Sequence, residues 1–291
     1  MNPNRLSRAG LPQGLAATLA LLAAAGTARA ELQVDLALML AVDVSESVDA
    51  QEAVLQRQGY VQAIQAPDVV EAILGGPHGR IVLSYVEWAG PDHYFTIIDW
   101  SMIDSRESAA SFAAQLSREG FTQGYTTSIT ALFRRARGAF ERLQVEADRK
   151  VLDVSGDGPN NDGGYIPHAR ERTINAGVTI NGLPILNDRP APSGYPRLED
   201  LTEYYRNCVI GGAGSFQIAA ESFEVFAQAI RRKMVREIAG RPAPQRRRPL
   251  LHFAAAEEIY DCSIGERQSR QRLLDKFEST DDAKEPGGGA Q

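Results

Sequence analysis

The chain has 291 residues and a net charge of −6, with 43% hydrophobic, 23% charged and 7% aromatic residues. These proportions exclude a disordered, collagen-like or multi-span membrane chain, and the length suits one α/β domain or a domain with a tail. The first thirty residues hold three arginines and no acid, so the remainder carries −9. That charge is a poor basis for sequence-independent nucleic-acid binding, which rests on neutralising phosphates with Lys and Arg.

Arg5 and Arg8 precede an uncharged apolar run from Gly14 to Ala25, followed by Ala28-Arg29-Ala30. This is the order of a secretory signal: basic start, short apolar core, small residues before the cut. The run is shorter than the roughly 20 apolar residues of a spanning helix. Residues 1–30 are therefore expected to be a signal peptide cleaved after Ala30, the competing reading being a retained anchoring helix. The mature chain is expected to be exported, with no integral membrane segment. Cys208 and Cys262 then sit where disulfides persist, and a bridge between them is favoured over two unpaired thiols.

Val34 to Val42 is a nearly unbroken apolar run ending at Asp43, the pattern of a parallel strand buried on both faces. Asp49, with Glu52 three residues on, resembles a capping box opening a helix that carries Val54, Tyr60, Val61 and Ile64 towards Pro67. Arg80 to Trp88 and Tyr94 to Trp100 flank Ala89-Gly90-Pro91-Asp92, a connection short enough for an antiparallel hairpin at a sheet edge. A helix follows from Ser105. The stripe Ile129, Leu132, Phe133, Ala136 and Phe140 predicts a second, strongly amphipathic one.

Val151 to Val154 predicts a strand running into Ser155-Gly156-Asp157-Gly158. A helix around His168 stops at Gly177, a C-cap candidate, and Val178 to Ile185 predicts another strand. Arg189 to Pro196 reads as a proline-rich loop, Leu198 to Tyr205 as a short helix, and Ser215 to Ala219 as a last short strand. Phe223, Phe226, Ile230 and Met234 stripe a closing helix up to Gly240. This alternation predicts a Rossmann-like, doubly wound α/β fold, its mostly parallel sheet bearing one antiparallel edge strand. Residues 31–240 form the domain. Residues 241–291 read as a linker and largely mobile tail, with Arg246-Arg247-Arg248 a solvated run.

In an open α/β sheet, ligands bind beyond the carboxyl ends of the strands. Three oxygen-rich segments fall there: Asp43-Val44-Ser45-Glu46-Ser47, Gly124-Tyr125-Thr126-Thr127-Ser128 and Ser155-Gly156-Asp157-Gly158. They offer carboxylates and hydroxyls without histidine or thiolate, a set suited to Mg²⁺, with Mn²⁺ or Ca²⁺ as alternatives, and not to zinc or copper.

The D-x-S-x-S segment, the Gly-x-Thr turn and the distal Asp-Gly resemble the metal-ion-dependent adhesion site of the von Willebrand factor A domain. The resemblance covers roughly Val34 to Gly240 and looks most like an exported bacterial branch of that superfamily. It implies Asp43, Ser45, Ser47, Thr126 and Asp157 as metal ligands, Thr127 being the alternative register for the threonine. It also implies cation-dependent binding of a protein partner that supplies an acidic side chain, no catalysis, and a periplasmic location. Glu46 stands where many members carry glycine, and either points to solvent or crowds the open coordination position. Asp153 is a charge within an expected central strand and has no evident partner.

Other readings fit less well. Asp153 to Gly158 starts like an EF-hand loop, but Gly164 stands where the twelfth-position Glu is required. It is not a nucleophile elbow either, because Asp153 occupies the first glycine position. A Mg²⁺-dependent phosphoester hydrolase using Asp43 is the catalytic alternative, though Ser45 stands where a second acid is usual. A metal-free scaffold is the third reading. His78, His93, His168 and His252 read as scattered surface residues.

Overall fold

The computed structural model describes residues 32–186, 197–222, 225–240 and 260–282. The expected signal peptide, the loop 189–196, Phe223, the arginine run 246–248, His252 and the end of the chain lie outside the described residues.

The main elements, in chain order, are β1 (Leu36–Asp43), α1 (Ala50–Ile64), α2 (Pro67–Leu74), β2 (Ile81–Trp88), β3 (Tyr94–Ile103), α3 (Arg106–Leu116) and α4 (Ile129–Glu141). Then come β4 (Lys150–Gly156), α5 (Ile166–Asn175), β5 (Val178–Pro184), α6 (Leu201–Tyr204), α7 (Phe226–Ala239) and α8 (Ile264–Asp282). A π-helical turn, Tyr205–Val209, continues α6. The five strands form one sheet in the order β3-β2-β1-β4-β5, parallel throughout except for the antiparallel β2–β3 pair.

All eight residues of β1 are buried because helices cover both faces of the sheet. Leu36, Leu38, Leu40 and Val42 point into one layer with α1, α2, α3 and α7, which contribute Tyr60, Val69, Phe112 and Phe226. Ala37, Met39 and Ala41 point into the other, against the α4 stripe of Ile129, Leu132, Phe133, Ala136 and Phe140 and the π turn. The period of two along the strand thus divides the core into two layers. Asp49 and Glu52 form the expected capping box at the start of α1. β3 is the exposed edge, with only Ile98 and Ile103 fully buried among its ten residues.

Two details differ from the sequence expectation. No strand forms at 215–219; isolated bridges pair Gln217 with Gly182 of β5 and Ala220 with Ile185 just beyond it, after a turn in which Gly212 and Gly214 take positive φ. Beyond residue 260 the chain forms the helix α8, anchored by the Cys208–Cys262 disulfide.

Asp153 has a partner after all. It is buried in β4, and the equally buried Lys233 of α7 reaches it at 2.5 Å while also contacting Glu237 at 2.5 Å. Asn181 of β5 donates to Glu237 at 2.9 Å. An acid is tolerated in the central strand here because a lysine supplied by α7 partners it; leaving such a group unpaired in the core is costly.

Candidate metal centre

The rim begins where β1 ends. The Ser45 amide donates to Asp43 Oδ1 at 2.8 Å, an Asx-type bond that turns the chain back on itself. Val48 N–H closes the turn on Ser45 O at 2.9 Å. Ser45 and Ser47 consequently present their hydroxyls side by side, 3.0 Å apart. From the β4 rim, Asp157 Oδ1 accepts from Ser47 Oγ at 2.5 Å. Asp43, Ser45, Ser47 and Asp157, separated by up to 114 residues, thus share one small volume.

Of the two adjacent threonines, the structure brings Thr127, the alternative register, to this group and turns Thr126 elsewhere. Thr127 Oγ1 donates to Ser45 Oγ at 3.2 Å and is buried. Thr126 instead donates to Asp162 Oδ2 at 2.9 Å. The cause is backbone wiring: Thr127 N–H donates to Asn161 Oδ1 at 2.8 Å, and Thr127 O accepts from the amides of Asn161 and Asp162 at 2.9 and 3.2 Å. Thr127 is gripped on both sides by the Asp157–Asp162 loop and directs its side chain inward. Adjacent threonines give no local clue to this register, which depends on Asn161, 34 residues away.

Asp43 is fully buried. That burial first, and the neighbouring charge of Asp157 second, push its carboxyl up to about 8. Among the described residues its Oδ2 has no hydrogen-bond partner, and neither does the buried Tyr205 Oη. Both atoms border Gly156, where an added Cβ would lie 2.9 Å from each. Asp157 Oδ2 accepts from Arg197 Nη1 in a 3.0 Å ion pair. Arg197, Tyr205 and Asn161 were not foreseen; no motif marks them, and they arrive from the segments after β4 and β5. Glu46 is half-buried beside these groups.

The donor set fits a hard divalent ion. Mg²⁺ surrounded by oxygens at about 2.1 Å has adjacent ligands about 3.0 Å apart, and the Ser45–Ser47 and Ser45–Thr127 separations are 3.0 and 3.2 Å. Such spacings also serve hydrogen bonding. The stronger indication is the buried Asp43 oxygen, because an unpartnered carboxylate oxygen in the interior is costly without a cation or water.

A second group sits at the opposite end of the sheet. Asp35, His78 and Asp148 each offer a ligand atom, all within 4.8 Å of one another. His78 Nε2 lies 3.4 Å from Asp148 Oδ2, and Asp35 accepts from the His78 and Arg80 amides at 2.9 and 3.2 Å. Asp35 precedes β1 whereas Asp43 ends it, and an eight-residue strand spans about 26 Å. This cluster is therefore separate from the rim.

The sheet order and the antiparallel edge are those of the von Willebrand factor A-type fold, with the oxygen cluster at its carboxyl rim. A family model described as "Protein of unknown function (DUF1194)" matches residues 33–242, and the chain belongs to that family. None of the curated proteins is similar enough to count as a relative. Among solved structures, proximal thread matrix protein 1 from the mussel byssus aligns with a TM-score of 0.50 at 16% identity, over 72% of this chain and 49% of its own. The pilus adhesin SpaC from Lactobacillus rhamnosus GG aligns with a TM-score of 0.50 at 11% identity, over 72% and 31%. A von Willebrand factor type A protein from Catenulispora acidiphila aligns at 0.47 and 13%, over 70% and 43%. The chain thus spans about half the length of the mussel protein and about a third of the adhesin. At such identities the likeness is one of fold.

Proposed function

We propose that this is an exported A-type domain that binds a protein partner through a Mg²⁺ ion held at the carboxyl rim of its sheet. The hydroxyls of Ser45, Ser47 and Thr127 are the neutral ligands, and Asp43 and Asp157 hold the ion directly or through water. When bound, the ion supplies an electrophilic centre for an acidic side chain of the partner. The chain's own residues orient the three hydroxyls, exclude solvent from Asp43 and balance Asp157 with Arg197. The observation that carries this reading is the convergence of Ser45, Ser47, Thr127 and Asp157 next to Asp43, a buried carboxyl whose Oδ2 has no hydrogen-bond partner among the described residues.

The names of the mussel matrix protein and the pilus adhesin agree with a binding role. Export draws on the signal-like residues 1–30 and on the disulfide, which belongs to an oxidising compartment such as a periplasm. Among the described residues no helix is long and apolar enough to cross a membrane. A hydrolase using Asp43 as nucleophile is disfavoured, because that carboxylate is fully buried and one oxygen is tied to the Ser45 amide. Calorimetric titration of Mg²⁺ into wild type and Asp43→Ala tests the proposal. Heat is expected in wild type and its loss in the variant; equal heats would overturn it. A cation-dependent pull-down from the envelope fraction would then seek the partner.

A further inference from the structure

Residues 260–282 lie beyond the family match, which ends at 242, yet they are fastened to the floor of the candidate metal centre. Cys262 is bonded to Cys208, with Cα atoms 5.6 Å apart. Cys208 belongs to the π turn that begins with Tyr205, whose hydroxyl borders Gly156 and the Asp43 oxygen. Single π-helical turns recur where a helix must aim particular side chains at a site.

The first turn of α8 rests on Asn160. A Cβ added to Gly265 would stand 2.1 Å from the Asn160 carbonyl oxygen, so the helix can approach this closely only with glycine there. Asn160 Nδ2 donates to Glu266 Oε1 at 2.7 Å. The backbone amide and side-chain oxygen of this fully buried asparagine are also engaged. Its amide donates to Tyr204 Oη at 3.0 Å, and its Oδ1 accepts from the Thr130 amide at the start of α4 at 3.1 Å.

Asn160 is thus a junction. On one side it meets α8 and the helix carrying the disulfide; on the other it continues into Asn161, whose side chain and amide hold the Thr127 backbone. Glu266 Oε2 is buried and has no hydrogen-bond partner among the described residues. An ordinary surface glutamate avoids that cost by staying in water. Here the carboxylate is kept at the loop by the bridge four residues earlier.

We propose that the first turn of α8 is a positioning element for the metal centre. Glu266, docked on Asn160 and pinned by the Cys208–Cys262 bridge, holds the Asp157–Asp162 loop so that Asp157 and Thr127 stay at the spacing of a cation site. The proposal rests on reading the rim as a Mg²⁺ site. Residues that orient metal ligands from behind typically change affinity about 10–100-fold when removed.

The test compares full-length wild type, Glu266→Ala and Glu266→Gln in two measurements. Hydrogen exchange of the loop amides at 157–162 is followed in metal-free protein, and Mg²⁺ is titrated by calorimetry. Glu266→Ala is expected to speed loop exchange and weaken Mg²⁺ binding about tenfold, with little change in melting temperature. Glu266→Gln retains an oxygen that accepts from Asn160 Nδ2, and is expected to restore both readouts. Wild-type Mg²⁺ binding with either readout unchanged in Glu266→Ala would overturn the positioning role alone. Wild type that takes up no Mg²⁺ would overturn both this proposal and the metal reading beneath it. Should Glu266→Ala fail to fold, Glu266→Gln decides: weakened Mg²⁺ binding in that folded variant would overturn the role of the hydrogen bond, and wild-type affinity would support it.

Discussion

Thr127 Oγ1 lies 3.2 Å from Ser45 Oγ, bringing together two hydroxyls 82 residues apart, while the side chain of Thr126 turns away to Asp162. This contact joins the loop after β1 to the start of α4. It also makes two chemically identical neighbours unequal. Thr127→Ala is expected to weaken Mg²⁺ binding about tenfold, equivalent to about 1.4 kcal/mol, whereas Thr126→Ala changes it less than about twofold. Calorimetry on both variants checks this, and the reverse ranking would restore Thr126 as the ligand.

Gly156 closes the chamber around Asp43. A methyl group there would stand 2.9 Å from both Asp43 Oδ2 and Tyr205 Oη, closer than packed atoms tolerate. Gly156→Ala is expected to cost about 1–3 kcal/mol by overpacking and to abolish the rise in melting temperature on adding Mg²⁺. Thermal melts with and without the ion measure both effects. A variant that retains the full Mg²⁺-dependent rise would show that Asp43 needs no such clearance.

Lys233 is buried between Asp153 and Glu237, 2.5 Å from each. Replacing it with Met preserves much of the volume but strands two interior carboxylates. Breaking a buried ion pair from one side costs about 3–5 kcal/mol, and urea unfolding of Lys233→Met is expected to give a loss of that order. A loss below about 1 kcal/mol would mean that the carboxylates relax or take up protons at little cost.

The same network makes stability depend on pH. Burial first, and the charge of Glu237 second, push the Asp153 carboxyl from 3.8 up to about 7, against the pull of Lys233. The folded state therefore holds this proton more tightly than the unfolded chain. Its contribution is complete below about pH 4 and is lost as pH rises through about 7, with a slope of at most about 1.4 kcal/mol per pH unit for one proton. Asp153→Asn removes the titration. Urea midpoints measured between pH 4.5 and 7 are expected to fall for wild type relative to the variant, and parallel curves would refute the assignment.

How much of this was legible beforehand follows from the range of the forces involved. The apolar run ending at Asp43, the hairpin around Gly90 and the stripe of α4 are local patterns, and each emerged as the element expected. The Asp43, Ser45, Ser47 and Asp157 cluster was readable because a parallel sheet brings successive strand ends to one rim. The choice between Thr126 and Thr127 was not, because it depends on hydrogen bonds from Asn161. Nor were the arrival of Arg197 at Asp157 and the pairing of Asp153 with Lys233, each of which joins residues at least 40 positions apart.

By itself, the order of residues along this chain determined the alternation of strand and helix, the two-sided burial of β1 and the oxygen chemistry of the rim. Periodicity and turn chemistry act over a few residues, and a strand's length and polarity reveal how deeply it is buried. Tertiary structure decided which threonine faces Ser45, which lysine answers Asp153, and that α8 docks on Asn160 through Glu266. Those outcomes turn on separations of a few tenths of an ångström between distant segments, and only the packed core sets such distances.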